Sequence, residues 1–93
     1  MIRITVEDGR LVAEGHANFD VEGKDVVCAA VSAILQSMGY LIVELGGSMF
    51  KEKGYLEITW KENDCSLKTV EVLIESLKSI ERRYPDHVKL EVI

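Results

Sequence analysis

Apolar and polar residues alternate along residues 1–17, on both sides of an Asp8-Gly9 pair. Alternation with a period of two is typical of a strand that buries one face, and Asp-Gly is a strong signal for a two-residue hairpin turn. With that turn, apolar pairs share one face and opposite charges the other: Val6 with Leu11, Ile4 with Ala13, Arg3 with Glu14, and Glu7 with Arg10. The pattern predicts a hairpin whose second strand ends near Gly15, with His16 at its tip.

A loop and a long apolar helix are predicted next. Residues 17–24 combine turn-forming and polar residues, which is typical of a loop. From Asp25 the pattern becomes helical, with Asp25 as a candidate N-cap and an end at Gly39 or, if the next apolar residues continue the helix, at Gly46-Gly47. Apolar residues cover most of this helix, which indicates that sheet, second helix or partner subunit covers it on more than one side.

The second half of the chain shows two kinds of hydrophobic periodicity, alternation for strands and three- and four-residue spacing for a helix. Residues 55–61 alternate and predict a strand. Residues 67–84 carry apolar side chains at three- and four-residue spacing, which predicts an amphipathic helix with Asp64 or Ser66 as its cap. Residues 87–93 alternate again and predict a last strand.

The predicted fold is therefore α+β, in the order ββαβαβ. A small mixed or antiparallel sheet packs on two helices, the first helix is central, and residues 1–93 form a single domain. The chain has 93 residues, 47% of them hydrophobic, which is enough for one core without disulfides or a metal.

Charge and cysteine content argue against several functions. A net charge of −5 disfavours direct nucleic-acid binding, which needs a concentrated positive face. Cys28 and Cys65 belong to no Cys-x-x-Cys pair or zinc-spaced cluster, so we expect no metal and no cofactor. The sequence shows neither a signal peptide nor an uninterrupted apolar run of ~18 residues, so we expect a cytoplasmic protein with reduced thiols and no membrane partner.

One stripe of the first predicted helix is small and polar, comprising Asp25, Cys28, Ser32 and Gln36. If Asp25 is the N-cap, Cys28 lies in the first turn, where backbone N–H groups and the helix dipole favour a thiolate. His16 leads through the loop to this same helix opening, and the intervening chain is long enough to double back.

A cysteine and a histidine side by side are the minimum for covalent acyl transfer. The histidine takes the thiol proton and then donates it to the leaving amine. The alternative reading of the same residues is structural: Cys28 is a small buried hydrophobe and His16 an ordinary surface residue.

The segment "GHANFDVEGKDVVCAAVS" resembles the signature of the ribosomal-processing cysteine protease family, Prp. In that signature Gly-His-Ala is followed by an aromatic residue and then by Gly-x-Asp-hydrophobic-Val-Cys-Ala-Ala-Val-Ser. The matching residues are Gly15, His16, Ala17, Phe19, Gly23, Asp25, Val26, Val27, Cys28, Ala29, Ala30, Val31 and Ser32. Val26 replaces the more usual isoleucine.

The resemblance implies that Cys28 is the nucleophile and His16 its base, and that the loop with Phe19 and Gly23 orders over the substrate. It also implies a homodimeric endopeptidase without a cofactor. Its partner would be the N-terminal extension of a large-subunit ribosomal protein, which it removes by cutting after an aromatic residue in a short hydrophobic motif.

Two supporting residues each have two possible roles, and the function as a whole also has competing interpretations. Asp25 could orient the histidine or cap the helix, and Ser32 could line the pocket or bond to a helix carbonyl. His87, expected as an exposed residue at the start of the last strand, and Cys65 are assigned no chemistry. The competing functions are a non-catalytic ribosome-assembly or peptide-binding module and a thiol redox or sensor protein.

Overall fold

Five strands form one mixed sheet in the computed structural model, which describes residues 1–21 and 24–93. The elements in chain order are β1 (Ile2–Glu7), β2 (Arg10–Glu14), α1 (Val26–Glu44), β3 (Ser48–Glu52), β4 (Tyr55–Thr59), α2 (Asp64–Arg83) and β5 (Val88–Val92). The strand order is β3-β4-β2-β1-β5, and the β1–β5 pair is parallel while the other pairs are antiparallel. The predicted α+β class is confirmed.

The first hairpin has the predicted register, including Ile4 opposite Ala13 and Arg3 opposite Glu14. Alternate residues of the sheet are buried, and these are Ile2, Ile4, Val6, Leu11, Ala13, Leu56, Ile58 and Val88. The polar residues between them lie on the opposite face, where Arg10 pairs with Glu57 at 3.0 Å. Both helices therefore cover one face of the sheet, α1 beside β3 and β4, and α2 beside β5.

Helix α1 buries a single stripe of its surface, made of Val27, Val31, Leu35, Gly39 and Ile42. It continues through Gly39 and ends at Glu44, with Leu45 as its C-cap just before Gly46. By length and composition alone it could cross a membrane, with a mean hydropathy of 2.0 and 28% of that stretch buried, and its buried stripe packs on the sheet and α2. Tyr40, Leu41 and Val43 remain exposed.

Two details differ from the prediction. The order is ββαββαβ, because β3 forms a hairpin with β4 across the two-residue turn Lys53-Gly54. Strand β3 lies at the edge of the sheet with mostly exposed side chains, so no apolar alternation marks it. Helix α2 is capped by Asn63 instead of Asp64 or Ser66, since the Asn63 side chain accepts the Ser66 N–H at 2.9 Å.

Candidate active site

A cavity of about 690 Å³ opens where the end of β2, the first turns of α1 and the β3–β4 hairpin meet. All four residues of the polar stripe predicted on α1 line this cavity, namely Asp25, Cys28, Ser32 and Gln36. His16 lines the same cavity, and so do the apolar side chains of Ile2, Ala13, Val31, Leu35 and Leu56. The fold thus brings the predicted base and nucleophile to one cavity that is lined by both apolar and polar side chains.

His16 lies just beyond β2, where its ring rests against the β3–β4 turn. A Cβ added to Gly54 would lie only 3.1 Å from His16 Nε2. Gly54 has a φ of +73°, a conformation that glycine adopts without steric cost. Its carbonyl oxygen accepts the Gly15 N–H at 2.9 Å. The turn therefore supports the backbone and the ring of the candidate base together.

Cys28 is half-buried in the first turn of α1. The Ala17 N–H donates to its Sγ at 3.3 Å, and an N–H directed at sulfur stabilises negative charge there. Within the described part of the chain, no hydrogen bond joins His16 to this sulfur. The two side chains therefore share the cavity without a direct hydrogen bond between them.

The Asp25 carboxylate is buried and holds two segments together. Its Oδ1 accepts the Cys28 N–H at 2.9 Å as the N-cap of α1, and its Oδ2 accepts the N–H groups of Phe19 at 3.0 Å and Asp20 at 3.4 Å. Burial by itself raises the pKa of Asp25, but these hydrogen bonds outweigh it and leave the pKa below its ordinary value. Both oxygens serve backbone groups, so of the two alternatives the structure supports the cap.

The loop after His16 presents alternate residues to the cavity. Asn18 and Asp20 line it. Phe19 instead packs outside it, with its ring edge-on to those of Tyr84 and His87 at centroid distances of 5.4 and 5.3 Å. Phe19 therefore anchors the loop on the corner between α2 and β5.

The remaining predicted site residues are Ser32 and Gly23. Ser32 lines the cavity, and no hydrogen bond described here joins its hydroxyl to a helix carbonyl. Gly23 lies outside the described residues. In the ranges 1–21 and 24–93, no group of three or more metal-ligating side chains forms.

No local pattern in the sequence indicates the position of His87. It is half-buried, not exposed as expected, and its Nδ1 lies 2.9 Å from the carbonyl oxygen of Ala17. The two residues are 70 positions apart, and the contact depends on β5 pairing with β1. Cys65 is exposed at the start of α2, and both cysteines are free thiols.

Comparison with protein families gives a match across nearly the whole chain. The model of the family described as cysteine protease Prp matches residues 1–89. The ribosomal processing cysteine protease Prp of Mycoplasma genitalium is 34% identical over 102 aligned positions, covering 95% of this chain and 92% of that protein. The protein of the same name from Bacillus subtilis is 31% identical, covering 82% and 78%.

Solved structures share the fold. One is an essential ribosomal processing protease Prp from S. aureus in complex with a covalently linked product peptide, with a TM-score of 0.92, 24% identity and full coverage of both chains. The S. aureus protease in complex with a substrate peptide gives a TM-score of 0.79 at 25% identity, covering 99% of this chain and 97% of that one.

Proposed function

The chain belongs to the cysteine protease Prp family, and from that premise we propose that it removes the N-terminal extension of a large-subunit ribosomal protein. That it is a cysteine protease follows from the family itself. The observation that carries the proposal is the convergence of His16 and Cys28 on one cavity, with the cysteine in the first turn of a helix and a backbone N–H directed at its sulfur.

The chemistry assigned to the pair is two-step acyl transfer. The Cys28 sulfur, its proton taken by His16, attacks the scissile carbonyl carbon, and a C–S bond forms as the carbonyl becomes an oxyanion. His16 gives the proton to the leaving amine as the C–N bond breaks. Water, activated by His16, then attacks the thioester, which releases the carboxylic acid product and restores the thiol.

The walls of the cavity support cleavage after a bulky apolar or aromatic residue. The side chains of Ile2, Val31, Leu35 and Leu56 form its apolar part beside Cys28. A volume of about 690 Å³ leaves room for several residues of an extended peptide. The S. aureus relative has been solved with a substrate peptide, which supports a peptide ligand for this chain as well.

Supporting roles are assigned to the loop and to α1. Asp25 holds both the helix opening and the loop that follows His16, and Ser32 lines the cavity one turn beyond Cys28. The segment that includes Phe19 and Gly23 acts as the substrate loop, which orders over the bound peptide.

We also propose that the protein is a homodimer that works in the cytoplasm, where its ribosomal substrate is made. Apolar side chains on the outward face of α1 support a second subunit, because Tyr40, Leu41 and Val43 are each at least 42% exposed. A helix of this hydropathy is ordinarily covered on more than one side.

The test is cleavage of a peptide that spans such an extension and its junction, followed by mass spectrometry. We expect one cut after a bulky apolar residue, its loss in Cys28→Ala and in His16→Ala, and full activity in Cys65→Ala as the matched control. Peptide that binds to the unaltered protein but stays intact would favour the non-catalytic binding module. Cleavage by Cys28→Ala would refute the assigned chemistry.

A further inference from the structure

We propose that His87 is a positioning residue for the reaction, acting on Cys28 through the backbone of Ala17. The proposal rests on the proposed function in one respect, namely that Cys28 is the nucleophile. His87 does not line the cavity, so its ring acts through another residue and not on the substrate.

Ala17 is fixed from both sides by groups that lie far apart in the sequence. Its N–H donates to Cys28 Sγ at 3.3 Å, and its carbonyl oxygen lies 2.9 Å from His87 Nδ1. The Ala17 side chain is buried, with 1% exposure. Because a carbonyl oxygen only accepts, the His87 tautomer with a proton on Nδ1 is the one that makes this contact.

The His87 ring is itself held at the corner between α2 and β5. Its backbone N–H donates to the Tyr84 carbonyl at 3.0 Å, and its backbone carbonyl accepts the Ile2 N–H at 2.9 Å. The Phe19 ring packs edge-on against it at 5.3 Å. The corner is therefore a rigid support from which Nδ1 reaches the loop.

Fixing the Ala17 backbone directs its N–H at the reacting sulfur. Ala17 directly follows His16 in the chain, so the same contact also limits where the base lies. A hydrogen bond from an N–H to a charged acceptor stabilises the charge only while donor and acceptor remain aligned. Without the His87 donor, the Ala17 backbone loses one of its restraints, and its N–H is aligned with the sulfur for less of the time.

The experiment compares His87→Asn, His87→Phe and His87→Ala in a Cys65→Ser background, so that alkylation reports on Cys28 alone. Asparagine keeps an N–H donor near the position of Nδ1, and phenylalanine keeps the ring that packs on Phe19 but has no donor. The readouts are the rate of iodoacetamide alkylation against pH, peptide turnover, and thermal unfolding.

We expect the pH midpoint of alkylation to move upward in His87→Phe and His87→Ala, with a roughly three- to tenfold slower reaction at pH 7, the size of one weakened charge-assisted hydrogen bond. His87→Asn should restore most of the rate, and kcat should fall more than KM rises. A merely structural role would lower the unfolding temperature without moving the pH midpoint.

The proposal is overturned if His87→Phe is alkylated like the unaltered protein, or if folded His87→Asn is as slow as His87→Ala. Alkylation needs no substrate, so its outcome is separate from that of the proposed function. A protein that fails to cut the extension peptide but shows the shifted midpoint would refute the substrate assignment alone.

Discussion

Asp25 shows how one side chain organises the candidate active site. Its two oxygens accept backbone N–H groups from the helix that carries Cys28 and from the loop that follows His16. The family motif places an aspartate three residues before the cysteine, and the structure gives the physical reason. A carboxylate at this point caps the helix and orders the loop together.

Asp25 should make stability dependent on pH in acid. Its folded-state pKa lies below the ordinary 3.8, so the ionised form favours the folded state. That contribution is complete above the pKa of the unfolded chain and is lost as pH falls through the folded-state pKa. We therefore expect Asp25→Asn to be less stable than the unaltered protein by about 1 kcal/mol at pH 7, with the difference shrinking as pH falls below 3.8 and disappearing below the folded-state pKa.

Urea unfolding at a series of pH values measures this pH dependence of the free energy of unfolding. Asp25→Ala serves as the comparison, because it also removes the cap acceptor and should cost about 1 kcal/mol more at pH 7. An Asp25→Asn variant whose stability still falls in acid as steeply as that of the unaltered protein would contradict the assignment.

Gly54 provides a second prediction, because its missing side chain leaves room for the His16 ring. In Gly54→Ala the new methyl group would displace the ring, and the φ of +73° would be strained at a cost of roughly 1–2 kcal/mol. We expect peptide cleavage to fall at least tenfold in kcat, since a misplaced base slows proton transfer.

Gly9 offers a matched control for that substitution. It has a similar φ of +75°, but a Cβ there would meet only the Trp60 carbonyl oxygen, at 3.7 Å. Gly9→Ala should therefore lose similar stability and keep its kcat. Equal losses of kcat in the two variants would show that strain, and not contact with His16, is responsible.

Among the helices and strands, those with a local signal could be predicted from the sequence. The Asp8-Gly9 turn determined the register of the first hairpin, and the three- and four-residue spacing from Asp25 placed four residues on the cavity wall. Strand β3 was not predicted, because an exposed edge strand needs no alternation of apolar and polar residues. The local signal for it was Gly54, whose positive φ suits a tight turn.

The contacts of His87 were beyond any local pattern. Its neighbours Ala17 and Phe19 lie about 70 positions earlier, and they meet it because β5 pairs in parallel with β1. Neither the strand order nor the parallel pair follows from a hydrophobic period. The candidate pair of His16 and Cys28 could therefore be predicted from the sequence, but the contact of His87 with the Ala17 backbone could not.

Asn63 joins the end of α1 to the start of α2. Its Oδ1 accepts the Ser66 N–H at 2.9 Å and its Nδ2 donates to the Leu45 carbonyl at 3.3 Å, so one side chain caps α2 and the end of α1. We expect Asn63→Ala to lower the free energy of unfolding by about 1–2 kcal/mol.

Asn63→Asp separates the two contacts, because aspartate keeps the acceptor for Ser66 and lacks the donor for Leu45. It should recover more than half of the lost free energy in urea unfolding, since capping is the larger contribution and aspartate is a good cap. A loss in Asn63→Asp equal to that in Asn63→Ala would contradict this division.

The outward face of α1 carries apolar side chains that no other described residue covers. Helix α1 packs its buried stripe on the sheet and α2, while Tyr40, Leu41 and Val43 face outward. Exposed apolar groups in such a cluster are typical of an interface, which agrees with the proposed homodimer.

Sedimentation equilibrium tests the dimer. We expect the unaltered protein to sediment as a dimer and Leu41→Lys as a monomer, because an unpaired charge would be buried in the interface. Val92→Lys is the control, since Val92 is similarly exposed but lies on β5. A monomeric unaltered protein, or a dimeric Leu41→Lys, would contradict an interface on this face of α1.

The central claim is that the Cys28 sulfur becomes covalently attached to the peptide that is cut. Acid quenching of the protein within milliseconds of mixing with the extension peptide, followed by digestion and mass spectrometry, measures this directly. We predict a mass gain equal to the acyl fragment on the peptide that contains Cys28, none on the peptide that contains Cys65, and none in His16→Ala. Cleavage without any acylated Cys28, or an acyl group found on Cys65, would contradict the account.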